Sequence, residues 1–359
     1  MDKIKVGVLG CGVIANSTYI PGISFIDKAE LVAVCDLVPE RAHETADRWD
    51  VPKTYTDTDA FLADPDVQLV VNLTEIQTHY RTNMAALQAG KHVYTEKTMT
   101  VTAEEATNVI DEAQTRGLKL GAAAATMLSP VNILAKELIQ SGAIGRLCYV
   151  TGRHSHFGAA DFDGWTTDPS WFFKPGAGPM LDMGVYALHT YTGIVGPVKK
   201  IACMSGISVP VRTVRSGPMA GQEIAVELDD NSQILMDFGD ATFGFLEATY
   251  CQKAARGPRV SFYGDEGVLT INDRSDPHPI SLFRDERGKG GYQEWTEQEI
   301  ADSANWNLSM GVAHLIDCIL DPNKPVVITG EHARHVIELI NKSYQAAREG
   351  RTVDIETTF

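Results

Sequence analysis

The sequence predicts an α/β chain of two domains: a doubly wound parallel sheet first, then an α/β domain whose sheet is mostly antiparallel. Three observations predict this. Strand-like and helix-like segments alternate over roughly the first 120 residues, as crossover units of a parallel sheet require. Beyond residue 123 strand-like runs follow one another closely, with short turns between them, as in an antiparallel sheet. The chain's 359 residues also exceed what one ordinary core holds. The expected division is 1–123 and 124–359.

Residues 5–9 form a buried apolar run, followed by a glycine-containing turn and a helix. Strands at 31–35, 67–71, 92–94 and 118–120 alternate with helices at 39–49, 78–89 and 103–116. A helix over 131–140 stops at Ser141-Gly142. Strands are then expected at 147–152, 199–207, 223–228, 232–238, 242–249 and 259–263, separated by turns such as Gly239-Asp240. Residues 272–292, rich in Gly, Pro, Asp and Arg, read as a mobile loop, and helices near 309–320 and 331–348 close the pattern.

Lys and Arg number 31 against 47 Asp and Glu, a formal charge of −16, which repels a polyanion and argues against nucleic acid. No apolar stretch approaches the roughly 20 residues of a membrane helix. The first residues lack the apolar run of a secretion signal, so a cytoplasmic location is expected. Six scattered cysteines without a C-x-x-C pair read as small buried hydrophobes, not as a disulfide framework or zinc module.

Gly10-Cys11-Gly12-Val13-Ile14-Ala15 directly follows the first strand and opens a helix. In this G-x-G-x-x-A pattern Gly10 permits the tight turn, and Gly12 admits a pyrophosphate close to the backbone. Ala15 lets helix and strand pack, while the helix N-terminus, with Val13 and Ile14, presents N–H groups to phosphate. Asp36 ends the second strand, where an acid accepts hydrogen bonds from a ribose diol and repels a 2′-phosphate. The expected cofactor is therefore NAD.

From these residues onward the sequence resembles the Gfo/Idh/MocA family (glucose–fructose oxidoreductase, inositol dehydrogenase and relatives). The resemblance rests on the Gly10 motif, on the run from Ala89 to Lys97, and on Gly176-Ala177-Gly178-Pro179-Met180-Leu181-Asp182-Met183-Gly184. It also rests on the run from Ser141 to Arg146, on Thr329-Gly330-Glu331 and on Glu349-Gly350-Arg351. It implies an N-terminal Rossmann domain and a C-terminal domain with a large open sheet, often used for oligomerisation. A homo-oligomer (dimer, tetramer or hexamer) acting on a small sugar-like substrate is expected. The resemblance further implies that Thr74 and His79 border the nicotinamide and that Glu96 and Lys97 belong to the cofactor site. Three places depart from the family pattern. Its E-K-P reads Glu96-Lys97-Thr98, its T-P-N-x-x-H reads Thr74-Glu75-Ile76-Gln77-Thr78-His79, and its histidine four residues after the aspartate is Tyr186.

A helix from Pro179 to Val195 would set Asp182, Tyr186 and His189 at i, i+4 and i+7, on one face. Acid, phenol and imidazole suit a face that lines a pocket. Oxidising an alcohol requires its C–H against the nicotinamide, an acceptor for its proton and compensation of developing charge. Lys97, at the carboxyl edge of the sheet, is expected to polarise the reacting oxygen. Tyr186 is expected to take or relay the proton. Its unperturbed pKa of about 10 is too high for a good base, and a lysine nearby would lower it. Asp182 would orient substrate hydroxyls; Lys97 as the base itself is the competing assignment.

His154 and His156 alternate along an expected strand and are read as hydrogen-bonding sugar hydroxyls, with His189 beside them. A metal pair is the alternative, set aside because hydride transfer needs no metal; no metal site is expected. Trp165 is expected to stack on a sugar face and Trp171 to contact the nicotinamide. The family's substrates suggest oxidation of a ring secondary hydroxyl, such as C3 of a glucoside. Two rivals are an NAD-using enzyme that cleaves glycosides through transient ring oxidation, and a non-catalytic NAD-dependent sensor.

Overall fold

The computed structural model describes residues 3–163, 167–273, 276–285, 293–300 and 306–359. Trp165 and residues 274–275 and 286–292 of the expected loop lie outside the described residues. The chain divides into two compact units: Met1–Leu128 with Asn305–Ile337, and Ser129–Ala304 with Glu338–Phe359. A late segment thus returns to the first unit, which a single cut at residue 123 does not express.

In the first unit, strands β1 (Ile4–Leu9), β2 (Ala29–Cys35), β3 (Lys53–Tyr55), β4 (Leu69–Asn72), β5 (His92–Thr95) and β6 (Leu120–Ala122) form one parallel sheet. Its order, β3-β2-β1-β4-β5-β6, is that of the doubly wound dinucleotide fold. Helices α1 (Ile20–Ser24), α2 (Pro39–Trp49), α3 (Thr58–Ala63), α4 (Ile76–Gln88) and α5 (Ala103–Thr115) alternate with the strands. The central strands β1 and β4 are buried on both faces, which is why they are apolar runs, whereas the edge strand β3 is only partly buried. Leu69 and Val71 of β4 join one core cluster with Val6 and Val8, while Val70 between them joins another with Phe61 and Val93. A late helix, α8 (Met310–Leu320), adds Val312, Leu315 and Ile316 to the first cluster.

The second unit carries a nine-stranded sheet. Its strands are β7 (Leu147–Arg153), β8 (Lys200–Gly206), β11 (Asn231–Gly239), β12 (Thr242–Thr249), β13 (Val260–Gly264), β14 (Gly267–Ile271), β15 (Ile280–Asp285), β16 (Gln293–Gln298) and β17 (Val353–Asp354). All neighbours pair antiparallel except β7 and β12. Helices α6 (Pro130–Gln140) and α7 (Val185–Val195) pack on it, and α9 (Gly330–Glu349) runs across the boundary between the units. Two expectations change. Residues 280–285 are a strand, because buried Ile280 and Leu282 alternate within a stretch whose Asp and Pro neighbours suggested a loop. The strand expected at 223–228 shortens to β10 (Glu223–Ala225), which pairs with β9 (Val211–Thr213) in a separate ribbon. Beyond it the backbone bonds elsewhere: Glu227 N–H donates to the Phe173 carbonyl at 2.9 Å.

Candidate active site

The nucleotide half is built on the turn after β1. Gly10 has φ +98°, and a Cβ there would fall 2.7 Å from the Leu73 carbonyl oxygen, so the turn needs glycine on two counts. A Cβ on Gly12 would meet nothing within 4 Å, so the backbone there is open to a close-approaching group. The helix beyond passes through a π-turn, Ala15–Tyr19, before α1. Pro21 supplies no N–H to a regular helical ladder, which accounts for the irregularity. Val13 is exposed and Ile14 packs against the core.

Asp36 is held by the backbone. Its Oδ2 accepts from the Cys11 N–H at 2.8 Å and its Oδ1 from the Val38 N–H at 2.9 Å. Each carboxylate oxygen offers a further acceptor site, as a ribose diol requires. Open space at Gly12 and an anchored acid at the end of β2 fit the dinucleotide. Cys11 lies within this turn, and burial, followed by the Asp36 charge, pushes its thiol up to about 12. It is an inert thiol.

Segments at the carboxyl ends of β4 and β5 are buckled together. His79 is 0% exposed, with Nδ1 2.7 Å from the Thr98 carbonyl and Nε2 2.9 Å from that of Thr74. Burial lowers its pKa, so the neutral ring donates from one nitrogen only. The Thr74 hydroxyl donates to Asn72 Oδ1 at 2.7 Å. Glu96, also buried, accepts from the Tyr19 hydroxyl at 2.6 Å and from the Lys97 N–H at 2.8 Å. Tyr19 stays protonated, since burial and then the Glu96 charge hold its pKa well above the usual value. Tyr19 lies in the helical segment of the glycine motif, so this bond ties the phosphate turn to the lysine segment. Lys97 itself is half-buried, directly beyond β5, and the peptide joining it to Thr98 is cis.

The other half is built on the segment leading into α7. Gly178 has φ +99°, and its carbonyl accepts from the Asp182 N–H at 2.9 Å. A π-turn, Met180–Gly184, precedes α7, so the i, i+4, i+7 register does not run unbroken. Asp182 and Tyr186 are partly accessible, whereas His189 is 3% exposed within the core side of α7. The expected polar stripe therefore loses its third member to the interior.

The two strand-end histidines separate. The His154 ring lies 6.5 Å from that of Tyr186, and Arg259 donates to its Nε2, which therefore carries no proton. His156 Nδ1 accepts from the Gly158 N–H at 2.8 Å, so its proton sits on Nε2, 3.2 Å from Asp182 Oδ2. His154 Nε2 and both His156 nitrogens are thus engaged with protein groups. The Trp171 ring is 39% exposed and stacks on Phe172 at 3.8 Å.

Residues that sequence spacing did not indicate complete this half. The Tyr250 hydroxyl donates to Asp182 Oδ2 at 3.1 Å, and its ring lies 5.0 Å from that of His156. Burial, then the Asp182 charge, hold the Tyr250 pKa well above the usual value, so it remains a donor. Behind it lies a buried ion pair, Arg212 to Asp230, at 2.6 Å. Arg212 also donates to the carbonyls of Phe157 at 2.9 Å and Tyr250 at 3.0 Å. The only sequence signal for Tyr250 was an aromatic directly after a strand; Arg212 and Asp230 gave none. Among the described residues, no group of three or more His, Cys, Asp and Glu could hold a metal.

Comparison with known proteins gives the same division of labour. Residues 4–123 match the model of the oxidoreductase family with an NAD-binding Rossmann fold, and residues 133–270 that of the GFO/IDH/MocA C-terminal domain. Levoglucosan dehydrogenase of Pseudarthrobacter phenanthrenivorans is 25% identical over 319 residues, covering 82% of this chain and 80% of that protein. D-glucoside 3-dehydrogenase of Escherichia coli is 24% identical over 99% of this chain and 98% of its own length. A solved structure of levoglucosan dehydrogenase with NADH and levoglucosan superimposes with a TM-score of 0.84 at 19% identity, covering 99% of this chain and all of that one. The glycine turn and Asp36 thus belong to an NAD-binding domain, the sheet and helix around Asp182 to its partner domain, and the chain is a member of the Gfo/Idh/MocA oxidoreductase family.

Proposed function

We propose that the chain is an NAD-dependent dehydrogenase acting on a ring secondary alcohol of a sugar, cyclitol or glycoside, with the C3 hydroxyl of a glucoside the leading position. One observation carries the reading. A chain with an NAD-binding domain also presents a carboxylate and a phenol, Asp182 and Tyr186, at the start of one helix, with the carboxylate held by two side-chain donors. The leaning toward a glucoside is supported by the end-to-end similarity to a D-glucoside 3-dehydrogenase.

NAD, when bound, supplies the hydride acceptor. In this reading the Lys97 ammonium donates to the reacting oxygen and stabilises negative charge there. Tyr186 Oη takes the hydroxyl proton as a phenolate, or as a phenol relays it by passing its own proton to solvent, and Asp182 accepts from a neighbouring substrate hydroxyl and so fixes the ring's orientation. Glu96 and His79 hold the lysine segment in shape. His154 and His156 shape the substrate side through Arg259 and Asp182. Trp171 offers an aromatic face to cofactor or sugar.

The test is a panel of sugars, cyclitols and glycosides with NAD, following NADH absorbance and product mass together. The expected product is two mass units lighter than its substrate, with NADH formed in equal amount. Glycoside breakdown without net NADH would show the glycoside-cleaving reaction instead, and an NAD-loaded protein inert to the whole panel would show a sensor.

Assembly belongs to the same proposal. Met204, Leu235 and Phe243 of the large sheet are 81%, 58% and 52% exposed, an apolar face that suits a second copy of the chain in a homo-oligomer. Light scattering of the purified protein tests this; a monomer at all concentrations overturns it. No helix among the described residues is long and apolar enough to cross a membrane. Six free cysteines suit a reducing cytoplasm.

A further inference from the structure

We propose that Tyr250 and His156 are positioning residues for Asp182, together fixing the orientation of its carboxylate through one oxygen, with the Arg212–Asp230 pair as the strut that holds Tyr250 in place. The proposal rests on the reading of Asp182 as the group that orients substrate hydroxyls.

Two donors converge on Asp182 Oδ2: the Tyr250 hydroxyl at 3.1 Å and His156 Nε2 at 3.2 Å. Each has little freedom to do anything else. The Gly158 N–H at 2.8 Å from Nδ1 fixes the tautomer of His156, so Nε2 is its donor. Tyr250 is fully buried, stacked on His156 and edge-on to Phe173 at 5.6 Å. Its backbone is gripped on both sides: the N–H donates to the Asp230 carbonyl at 2.8 Å, and the C=O accepts from Arg212 at 3.0 Å. Arg212 and Asp230 side chains are 6% and 0% exposed, so their pairing is not loosened by water. A carboxylate anchored at Oδ2 by two rigid donors cannot rotate about its terminal bond without losing both, and the direction of Oδ1 is set with it.

A double-mutant cycle separates this role from simple packing. Tyr250→Phe removes one oxygen atom. It should lower kcat about tenfold on the best substrate of the panel, the effect of one lost hydrogen bond to a charged group, with NADH affinity unchanged. In an Asp182→Asn background the same change should alter kcat less than about twofold, because residues acting through one group are not additive. A neutral Tyr250→Phe, or an equal loss in both backgrounds, overturns the proposal. If Tyr250→Phe does not fold, His156→Gln serves in the same cycle.

A second readout needs no turnover, so it stands even if the reading of the reaction fails. In protein labelled with carboxyl-13C aspartate, the Asp182 resonance is assigned by its absence in Asp182→Asn. Two titratable groups donate to this carboxylate, His156 from the segment after β7 and Tyr250 after β12, with Arg212 behind Tyr250. Losing the tyrosine donor should move the Asp182 titration to higher pH. An unmoved titration overturns the proposal independently of any activity.

Discussion

In the first unit, function rides on backbone; in the second, it rides on side chains brought together from distant segments. The glycine turn presents N–H groups and open space within six consecutive residues, and the acid that completes it sits at the next strand's end, held by two backbone N–H groups. Around Asp182, the working groups come from positions 156, 212, 230 and 250, linked through hydrogen bonds and a buried ion pair. The first arrangement is local and is set by conformational necessity. The second is global and is set by sheet register.

The largest expected effect belongs to the buried ion pair of the second unit. Arg212→Met leaves Asp230 buried and unpaired, a loss of about 3–5 kcal/mol in unfolding free energy. Urea denaturation measures it, and Arg212→Met with Asp230→Leu should recover much of the loss. A single variant as stable as the parent would mean the pair is not the strut proposed for Tyr250.

Lys97→Ala comes next. Removing a donor from the reacting oxygen should cut kcat about 100- to 1000-fold while NADH binding, followed by fluorescence, persists. Retained turnover would remove the lysine from the chemistry and weaken the view that the first unit contributes a reactive side chain as well as a cradle. Gly10→Ala tests the cradle. A φ of +98° and a Cβ 2.7 Å from the Leu73 carbonyl should cost about 1–3 kcal/mol and most of the NAD affinity, measured by thermal unfolding and titration.

The same contrast explains what was legible in the sequence. Gly10, Gly12 and Asp36 follow from spacing alone, because a tight turn and a strand end are local events. The central strands of the parallel sheet were legible as apolar runs, being buried on both faces; the edge strand β3, only partly buried, was not. The strand at 280–285 was not, since its alternation is brief and flanked by turn formers. Helical spacing singled out Asp182, Tyr186 and His189, but the π-turn at Met180–Gly184 shifts Asp182 against the other two, and His189, in regular helix with Tyr186, is 3% exposed. Resemblance pointed to His79, and what spacing did not show is that its ring is buried between the carbonyls of Thr74 and Thr98. Tyr250 meets Asp182 across 68 positions of sequence, and no local pattern encodes such a meeting.

The smallest effect belongs to the exposed charges at the amino edge of the first sheet, opposite the nucleotide turn. Asp66 receives Lys5 and Lys53, each at 2.6 Å, and these hydrogen bonds draw its carboxyl down to about 2. An unfolded aspartate titrates near 3.9, so the unfolded chain takes up this proton first as pH falls. The stabilisation is therefore complete above about pH 4 and disappears as pH drops through about 2. All three side chains are at least 36% exposed, and solvent and salt screen them. Asp66→Asn should lower Tm slightly at neutral pH and low salt, with the difference shrinking toward pH 2 and in molar salt. A loss as large as that of Arg212→Met, or one indifferent to salt, would mean that burial is not what separates the Arg212–Asp230 pair from the pairs of Asp66.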